Sequence, residues 1–469
     1  MRATLAALAA LLALGLLACG SPPPSEKPAP PRREPRLSTP QAEGDAGREA
    51  AKQVEAAIGI AQDPALRSYV RAVGARLVRN APGFRYDYQF EIADDGAPNA
   101  FALPGGHVYI SRGALALTAS EDELANVLGH EIAHVASRHA AAQQQVAGNS
   151  VMRVLQFQSL AAYSRDLESS ADRLGQGLAA LSGYDPMGMA TFLAALDGLD
   201  RVLTGASRQP GFLDSHPGTP GRAHEMALRA GTMRWTRGTS VTSGAADHLH
   251  RLEGLAVGID VAQGVFDGTR FLHADLAFTL RFPDGWETVN TPQAVGAIAP
   301  DRRMQMVLEL AGEGHDLAAA AAAFVKRLGR ELSVSEAGPV RVAGRDAYRL
   351  TGAAGGGIMI STFLAHRDAV YQLSCIGGER RRLEALCTVT TRSFRPLTPE
   401  LLAKVTGLRL ALVEARGGET WPQLASRSGN AWNAAETAAW NARSGATALR
   451  TGEWIKIAHS VPWAPAPGK

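Results

Sequence analysis

The spacing of apolar residues along this chain of 469 residues has two different periods, each in its own regions. From about 46 to 251, apolar residues recur at intervals of three and four, for example over 54–77 and 124–135, which predicts a mainly helical region. A period of two replaces this pattern over 86–93 and, after a Pro-Gly-Gly turn, over 107–110. These two segments are predicted to pair as a small sheet beside the helices.

The pattern changes after a glycine-rich stretch at 254–268, where long strands begin to dominate. Helices are predicted only at 317–332 and 380–395, so this part is a separate α+β region. A last segment, 408–459, predicts a strand, two helices and a closing strand. The middle region has predicted strands at 271–282, 305–310, 340–350, 358–366 and 369–376.

The N-terminus has a composition of its own. Arg2 precedes an apolar run that closes in Leu-Ala-Cys, an order typical of a signal peptide at 1–18. The run is shorter than the roughly 20 apolar residues that span a membrane. Cys19 resembles the lipidated cysteine of bacterial lipoproteins, with ordinary cleavage as the alternative. Proline recurs through 19–45, which predicts an extended tether after the lipidated cysteine.

Charge and cysteine content exclude several classes of protein. The chain has 48 Lys and Arg against 45 Asp and Glu, a net charge of +3, so no basic field exists to hold a nucleic acid. With 46% hydrophobic and 20% charged residues it is predicted to fold rather than to be disordered. Cys375 and Cys387 could form a disulfide in an oxidising compartment, or remain two buried thiols.

The most specific chemistry lies at 130–134, which reads His-Glu-Ile-Ala-His within a predicted helix. Ser120 and Glu123 predict a capping box at the start of this helix. Histidines four residues apart project from one helix face, so His130 and His134 can reach the same tetrahedral zinc ion. Glu131 then lies beside the metal, placed to take a proton from a zinc-bound water.

A catalytic zinc ion needs a third protein ligand. Glu168 and Asp172 are the best candidates, because they are four residues apart in a predicted helix and face the same way. One could ligate the metal while the other orients a ligand histidine through its free ring nitrogen. Taken alone, the same segment would be an ordinary solvated helix.

Several motifs within 46–251 occur together in the order of a known family. They are Asn-Ala-Phe-Ala-x-Pro-Gly-Gly at 99–106, the motif at 130–134, Tyr-Ser-Arg-Asp-x-Glu-x-x-Ala-Asp at 163–172, Gly-Tyr-Asp-Pro at 183–186, and Ser-His-Pro at 215–217 with Arg222 beyond it. This combination resembles the M48 family of zinc metallopeptidases. The resemblance implies one zinc ion per chain, held by His130, His134 and Glu168, with Glu131 as general base and Asp172 orienting a ligand.

The resemblance also bears on residues outside the zinc ligands. It implies that His216 approaches the metal, either to stabilise the oxyanion of the reaction or to cap the zinc in a resting state. Arg222 could anchor that loop or the carboxylates through a bidentate pair, or lie on the surface. Asn99, Ala100 and Phe101 resemble the edge strand on which such peptidases hold substrate. A buried hairpin is the alternative.

The whole chain is predicted to be α+β, with a mainly helical zincin-type peptidase domain and its small sheet at 46–265. A separate α+β domain at 270–397 loosely resembles PsbP-like domains through its Phe-Pro-x-Gly-Trp segment at 282–286. The residues at 405–460 resemble a LysM module, which in other proteins commonly binds peptidoglycan. No tetratricopeptide array and no membrane helices of the prenyl-protease branch are recognised in the sequence.

These features imply a zinc-dependent endopeptidase that cleaves misfolded or stalled proteins of the bacterial cell envelope. The alternative is a chaperone-like assembly factor that binds extended segments while its metal site is closed or vestigial. A cell-wall anchor is a third class, resting on the terminal module alone. Lipid on Cys19 would hold the protein on a membrane facing the periplasm, and Gly20, in place of an inner-membrane retention Asp, favours the outer membrane.

Overall fold

A computed structural model describes most of the chain. The residues described are 37, 39–142, 164–203, 212–216, 221–258, 261–291, 293–443, 445 and 448–464. The predicted signal peptide at 1–18 and Cys19 lie outside them, as do Tyr163 and Pro217 of the predicted motifs. The predicted fold class, α+β, is confirmed.

The described residues within 40–258 form a mainly helical region with a small sheet, as predicted for about 46–251. The end of the predicted tether is helical, because Thr39 accepts the N–H of Ala42 and Pro40 starts the first helix. The helices are α1 (Pro40–Ala57), α2 (Pro64–Val78), α3 (Arg112–Leu117), α4 (Glu121–Ala136), α5 (Arg165–Leu181), α6 (Gly188–Val202), α7 (Phe212–Ser215), α8 (Arg222–Thr232) and α9 (Ala245–Arg251). The strands are β1 (Gln89–Ala93), β2 (Ala100–Leu103), β3 (His107–Ser111) and β4 (Ala256–Val257).

The helical period predicted through 54–77 is interrupted between α1 and α2. Gly59 adopts a φ of 87°, a conformation that favours glycine. Asp63 then caps α2 by accepting the N–H of Leu66 at 2.9 Å, with Pro64 as the first helical residue. Local turn and cap chemistry therefore divides one apolar stripe between two helices.

The small sheet has the strand order β1-β3-β2. The predicted pairing of its two segments is confirmed, with β1 parallel and β2 antiparallel to β3. Helices α2, α4 and α6 pack with this sheet around one apolar core that includes Val73, Ile110, Leu128 and Phe192. This core fixes α4, the helix that carries the His-Glu-Ile-Ala-His motif.

The middle region contains a seven-stranded and a four-stranded sheet. The larger has the order β11-β12-β13-β14-β10-β9-β8 and the smaller β15-β7-β6-β5. Its strands are β5 (Val265–Asp267), β6 (Arg270–His273), β7 (Phe278–Arg281), β8 (Glu287–Asn290), β9 (Ala294–Ile298), β10 (Met304–Glu313), β11 (Leu332–Val342), β12 (Arg345–Ala354), β13 (Gly357–His366), β14 (Ala369–Gly377) and β15 (Arg395–Pro396), and its helices are α10 (Leu317–Leu328), α11 (Arg380–Ser393) and α12 (Pro399–Leu402).

Cys375 of β14 and Cys387 of α11 form a disulfide, with Cα atoms 6.0 Å apart. The sequence alone allows either a disulfide or two free thiols at these positions. The bond ties α11 to the central strand of the larger sheet, where both cysteines belong to one apolar cluster with Leu373 and Leu383. Helix α10 packs in a different cluster through Phe324.

The last segment forms a strand, two helices and a strand, in the predicted order. These are β16 (Thr406–Glu414), α13 (Trp421–Ser428), α14 (Ala434–Trp440) and β17 (Trp454–Pro462), and the sheet order is β17-β16-β4. Trp432 and Trp440 stack with ring centroids 5.1 Å apart inside the same apolar core as α4. The segment predicted to be LysM-like therefore packs on the helical region.

The described residues divide into two compact units. One joins the helical region to Gly407–Val461, and the other contains Val261–Thr406 and residues 462–464. No helix in the described part of the chain is both long and apolar enough to cross a membrane.

Candidate metal centre

Helix α4 carries the two motif histidines. Ser120 caps it by accepting the N–H of Glu123 at 3.2 Å, and the Glu123 carboxylate accepts the N–H of Ala119 at 2.7 Å. The predicted capping box forms with one change, because the Glu123 carboxylate accepts the backbone N–H of Ala119 rather than that of Ser120. His130 and His134 follow one turn apart, both buried, with their Nε2 atoms 3.1 Å from each other.

Helix α5 brings Glu168 to these histidines. Its carboxylate oxygens lie 3.5 Å from Nε2 of His130 and 3.5 Å from Nε2 of His134. The two helices approach closely where Gly129 of α4 meets Gly175 of α5, since a Cβ on Gly175 would lie 2.7 Å from the backbone N of His130. Two glycines thus set the helix spacing that places Glu168 beside the histidines.

His216 follows helix α7 and joins the same cluster. Its N–H bonds the carbonyl of Phe212 at 2.8 Å, and its ring stacks on Phe212 with centroids 4.4 Å apart. Nδ1 of His216 lies 3.0 Å from Oε1 of Glu168 and 3.3 Å from Nε2 of His130. The structure therefore brings His216 among the predicted zinc ligands.

Asp172 and Arg222 surround the carboxylate side of the cluster. Oδ1 of Asp172 lies 3.1 Å from Nδ1 of His130, as predicted for an orienting residue. Arg222 is buried, donates to both oxygens of Asp172 at 2.7 and 2.6 Å, and lies 3.2 Å from Glu168. It also donates to the carbonyl of His216 at 3.2 Å. Arg222 thus anchors both the carboxylates and the His216 segment, and the surface alternative is wrong.

These contacts fix the charge of Glu168. Burial alone would raise the pKa of its carboxyl group, but hydrogen bonds from His130 and His216 hold that pKa well below its usual range. Without such partners, burial raises the pKa of a carboxyl group. Glu168 therefore remains an anion, the form that ligates a cation.

Glu131 is fully buried beside the cluster, and within the described structure neither carboxylate oxygen has a hydrogen-bond partner. Nε2 of His216 lies 3.6 Å from Oε1 of Glu131. Burial raises the pKa of Glu131. A buried carboxylate without a partner is costly for stability, which indicates that it faces something that the protein itself does not supply.

The donor atoms fit a small divalent cation. One atom from each of His130, His134, Glu168 and His216 lies within 4.8 Å of all the others. A tetrahedral zinc ion with ligand bonds of about 2.0–2.1 Å separates its ligands by about 3.3 Å. The observed separations of 3.0–3.5 Å bracket that value. Imidazole nitrogens with one carboxylate are also ligands that zinc accepts.

His139 also lies in this site, although its spacing of five residues from His134 predicts another face of a continuous helix. It is buried, and its Nδ1 lies 3.0 Å from Nδ1 of His134. Helix α4 ends at Ala136, and Arg138 adopts a left-handed φ of 54° that turns the chain back. A non-glycine residue in this conformation leaves no mark in the sequence, so helical periodicity placed His139 wrongly.

The predicted substrate strand lies at the edge of its sheet. The backbone of Asn99 exchanges hydrogen bonds with Ser111, through Oγ and through N–H, each at 2.8 Å. The side chains of Ala100 and Phe101 are buried, and Phe101 stacks on Tyr109 with centroids 4.9 Å apart. A substrate on this strand would therefore meet the backbone of β2 rather than these two side chains.

Comparison with known proteins points to one family. Residues 64–162 and 149–230 match the model of peptidase family M48. The beta-barrel assembly-enhancing protease of Yersinia pestis is 30% identical over 210 residues, which cover 39% of this chain and 43% of that protein. The mitochondrial metalloendopeptidase OMA1 of Schizosaccharomyces pombe is 29% identical over 175 residues, 34% of this chain and 51% of that protein.

The chain spans less than half the length of the first of these relatives. Among solved structures, cyanobacterial PsbP from Synechocystis sp. PCC 6803 matches 28% of this chain and 95% of its own, with a TM-score of 0.24 and 14% identity. The PsbP-like character of the middle region stays a prediction. The family match and the histidine–glutamate cluster occupy the same stretch of sequence, and this part of the chain is therefore similar to peptidase family M48.

Proposed function

We propose that this protein is a zinc-dependent endopeptidase of the bacterial cell envelope. The observation that carries the proposal is Glu131, a buried carboxylate without a hydrogen-bond partner among the described residues, next to a cluster of side chains that could bind a metal. A protein that only binds extended chains has no chemical need for such a base. The names and activities of the similar proteases support the same reading.

In this proposal His130, His134 and Glu168 hold one zinc ion. The metal would polarise the substrate carbonyl and lower the pKa of the attacking water. Glu131 accepts the proton of that water and then delivers it to the leaving amine. Asp172 holds His130 through its Nδ1 atom, and Arg222 neutralises the paired carboxylates.

His216 has two roles consistent with its position. As a fourth ligand it would cap the zinc ion and exclude water, which the 3.0 Å contact between its Nδ1 and Glu168 favours. Swung out of the cluster, it would be free to stabilise the oxyanion. The first role describes a resting enzyme and the second an active one.

The proposed substrates are unfolded or misassembled envelope proteins. An extended segment would pair with the backbone of edge strand β2 through main-chain hydrogen bonds, independent of its side chains. Such recognition suits misfolded proteins of many sequences. The similarity to proteins named beta-barrel assembly-enhancing protease supports a role in protein quality control in the cell envelope.

Its proposed location is the periplasmic side of a membrane, with the outer membrane favoured. This rests on the signal peptide at 1–18 and on lipid attached to Cys19, both predicted from the sequence alone. Mass spectrometry of the protein from a membrane fraction would test it. A lipid-modified N-terminal Cys19 is expected, and an unmodified N-terminus would contradict the anchor.

Binding to peptidoglycan is proposed for the LysM-like segment at 405–460. The whole soluble chain should pellet with purified sacculi if that segment retains the binding of a LysM module. Failure to pellet would leave the segment a structural part of the peptidase unit, a role that its packing on the core with α4 supports.

Degradation of an unfolded model protein tests the proposed activity. The soluble form that starts at Gly20, loaded with zinc, should cleave it, and Glu131→Gln at equal zinc content should lose about 10²–10⁴-fold in rate because an amide cannot accept the proton. Glu123→Gln is the matched control, since it changes another buried glutamate of the same helix. The Glu123→Gln variant should still cleave the model protein.

The alternative is a chaperone-like assembly factor with a closed metal site. The four-donor arrangement that includes His216 favours it, because no ligand position is then left for water. Equal background cleavage by wild type and Glu131→Gln, with protection of the model protein from aggregation, would support it. Cleavage that appears only in His216→Ala would instead identify a capped peptidase.

A further inference from the structure

We propose that His139 is a positioning residue for the metal site. Its Nδ1 accepts the N–H that His134 carries on Nδ1, and this bond directs the lone pair on Nε2 of His134 towards the metal. The inference rests on the proposed function, because it presumes that His134 is a metal ligand.

The geometry of the two rings supports this assignment. Their Nδ1 atoms are 3.0 Å apart, with ring centroids 4.9 Å apart and planes at 82°. The other nitrogen of His134, Nε2, lies 3.1 Å from Nε2 of His130 and 3.5 Å from Glu168. A neutral imidazole has one N–H and one lone pair. With Nε2 among the ligand atoms, the proton of His134 belongs on Nδ1, facing His139.

The two ligand histidines would then have different orienting partners. Nδ1 of His130 lies 3.1 Å from Asp172, the kind of carboxylate partner that is usual for metal-bound histidines. His134 bonds an imidazole, which orients the ring without adding a negative charge. Glu131, Glu168 and Asp172 already bring three buried carboxylates to this site. A neutral acceptor avoids placing a fourth buried carboxylate at this site.

The chain holds His139 in place through the turn that precedes it. Five residues beyond His134 on a continuous helix, its side chain would point about 140° away from that of His134. The left-handed Arg138 brings it back. Nε of Arg138 donates to Glu43 at 2.7 Å, and Nη2 donates to the carbonyl of Leu37 at 3.3 Å. Glu43 is buried and also accepts the hydroxyl of Tyr86.

Helix α1 therefore braces the turn that carries His139, since Glu43 belongs to that helix. The brace acts on His134 through two hydrogen bonds in series, Glu43 to Arg138 and His139 to His134. The metal site thereby depends on the first helix after the predicted tether. Sequence motifs alone give no sign of this connection.

The test compares two nearly isosteric substitutions, His139→Asn and His139→Leu. The Asn side chain keeps an acceptor where Nδ1 of the imidazole was, and Leu has none. Zinc affinity is measured at fixed pH by competition with a chromophoric chelator. We expect His139→Leu to lose about 10–100-fold in zinc affinity and His139→Asn to remain near wild type.

His248→Leu is the control for the loss of a buried histidine. His248 bonds Tyr69 at 2.8 Å and Thr118 at 2.9 Å rather than the cluster, so its removal should lower stability without changing zinc affinity. Equal affinity of wild type and His139→Leu would overturn the inference. Equal losses in both His139 variants would overturn it too, because packing rather than an acceptor would then be responsible. Failure of wild type to bind zinc would instead contradict the proposed function.

A second measurement applies even if His139→Leu does not fold. Nitrogen NMR of the zinc-loaded wild-type protein, labelled on its histidine rings, reports which nitrogen of His134 carries a proton. We expect a protonated Nδ1 with a coupling across the bond to His139. An unprotonated Nδ1 on His134 would overturn the assignment.

Discussion

Arg222 is the residue that balances the buried charge of the site. Its guanidinium makes two bonds to Asp172 and lies 3.2 Å from Glu168, and all three side chains are buried. Removing one partner of a buried ion pair leaves the others uncompensated in a medium of low dielectric. The stability of the unit that contains the cluster should therefore depend strongly on this single cation.

We expect Arg222→Met to lower the free energy of unfolding by about 3–5 kcal/mol. The measurement is urea unfolding of the unit that contains the cluster. Arg201→Met is the control, because Arg201 forms an exposed pair with Asp197 whose loss should cost less than about 1 kcal/mol. Similar losses in the two variants would show that the buried network contributes little.

At this scale the sequence predicted the residues whose spacing is regular. His130, Glu131 and His134 are fixed by the four-residue period of one helix, and Glu168 with Asp172 by the same period in another. His139 was placed wrongly because its position depends on the left-handed Arg138. A side chain set by a single backbone dihedral cannot be found from periodicity.

The contact between helices α4 and α5 decides the site at the scale of elements. Gly129 and Gly175 face each other there, and a Cβ on Gly175 would lie 2.7 and 2.8 Å from the backbone N and Cα of His130. Backbone atoms cannot move aside as a flexible side chain can. The distance of Glu168 from His130 and His134 therefore depends on these glycines.

Gly175→Ala should separate the two helices, destabilise the unit by about 1–3 kcal/mol, and weaken zinc binding. Gly177→Ala is the matched control two residues further along the same helix, where an added Cβ meets nothing within 4 Å. Alanine in a helix interior is favoured by roughly 0.5–1 kcal/mol over glycine, so this variant should be slightly more stable. The readouts are thermal unfolding and chelator competition. Two variants of equal stability and equal zinc affinity would contradict the close-contact account.

Elements with a clear period were predicted well, and turns between them were not. The single strand predicted at 340–350 is a hairpin of β11 and β12, because Ala343 and Gly344 both adopt positive φ angles of 50° and 81°. The strand predicted at 271–282 is likewise split into β6 and β7. An apolar stripe continues across a tight turn, so periodicity alone reads two paired strands as one.

At the scale of the molecule, Lys456 connects the last segment to the helical region. It is fully buried and donates to the carbonyls of Ala116, Leu117 and Thr118 at 2.8, 2.7 and 3.2 Å. These carbonyls end helix α3, where a cation is favourable. Burial lowers the pKa of Lys456 to about 7, with Glu123 opposing the shift.

The pH dependence follows from this pKa. The pKa of Lys456 is about 7 in the folded protein and 10.5 in the unfolded chain. Between these pH values Lys456 carries a proton in the unfolded chain but not in the folded protein. The free energy of unfolding contributed by Lys456 therefore rises with pH, by at most about 1.4 kcal/mol per unit. Below pH 7 both states are protonated and the contribution is constant.

We expect the stability difference between wild type and Lys456→Met to grow in favour of wild type from pH 7 to pH 9. Urea unfolding at several pH values measures it. Lys52→Met removes an exposed lysine from the same unit and should stay within about 0.5 kcal/mol of wild type. A Lys456→Met difference that stays flat over this range would contradict the buried position of the amine.

The central claim is that His130, His134 and Glu168 hold a catalytic zinc ion. Anomalous diffraction at the zinc absorption edge, from crystals of the zinc-loaded soluble form, tests it most directly. The account predicts one strong peak at about 2.0–2.2 Å from both Nε2 atoms and from the Glu168 carboxylate. Crystals that diffract well but show no zinc between these three side chains, or zinc only elsewhere, would contradict it.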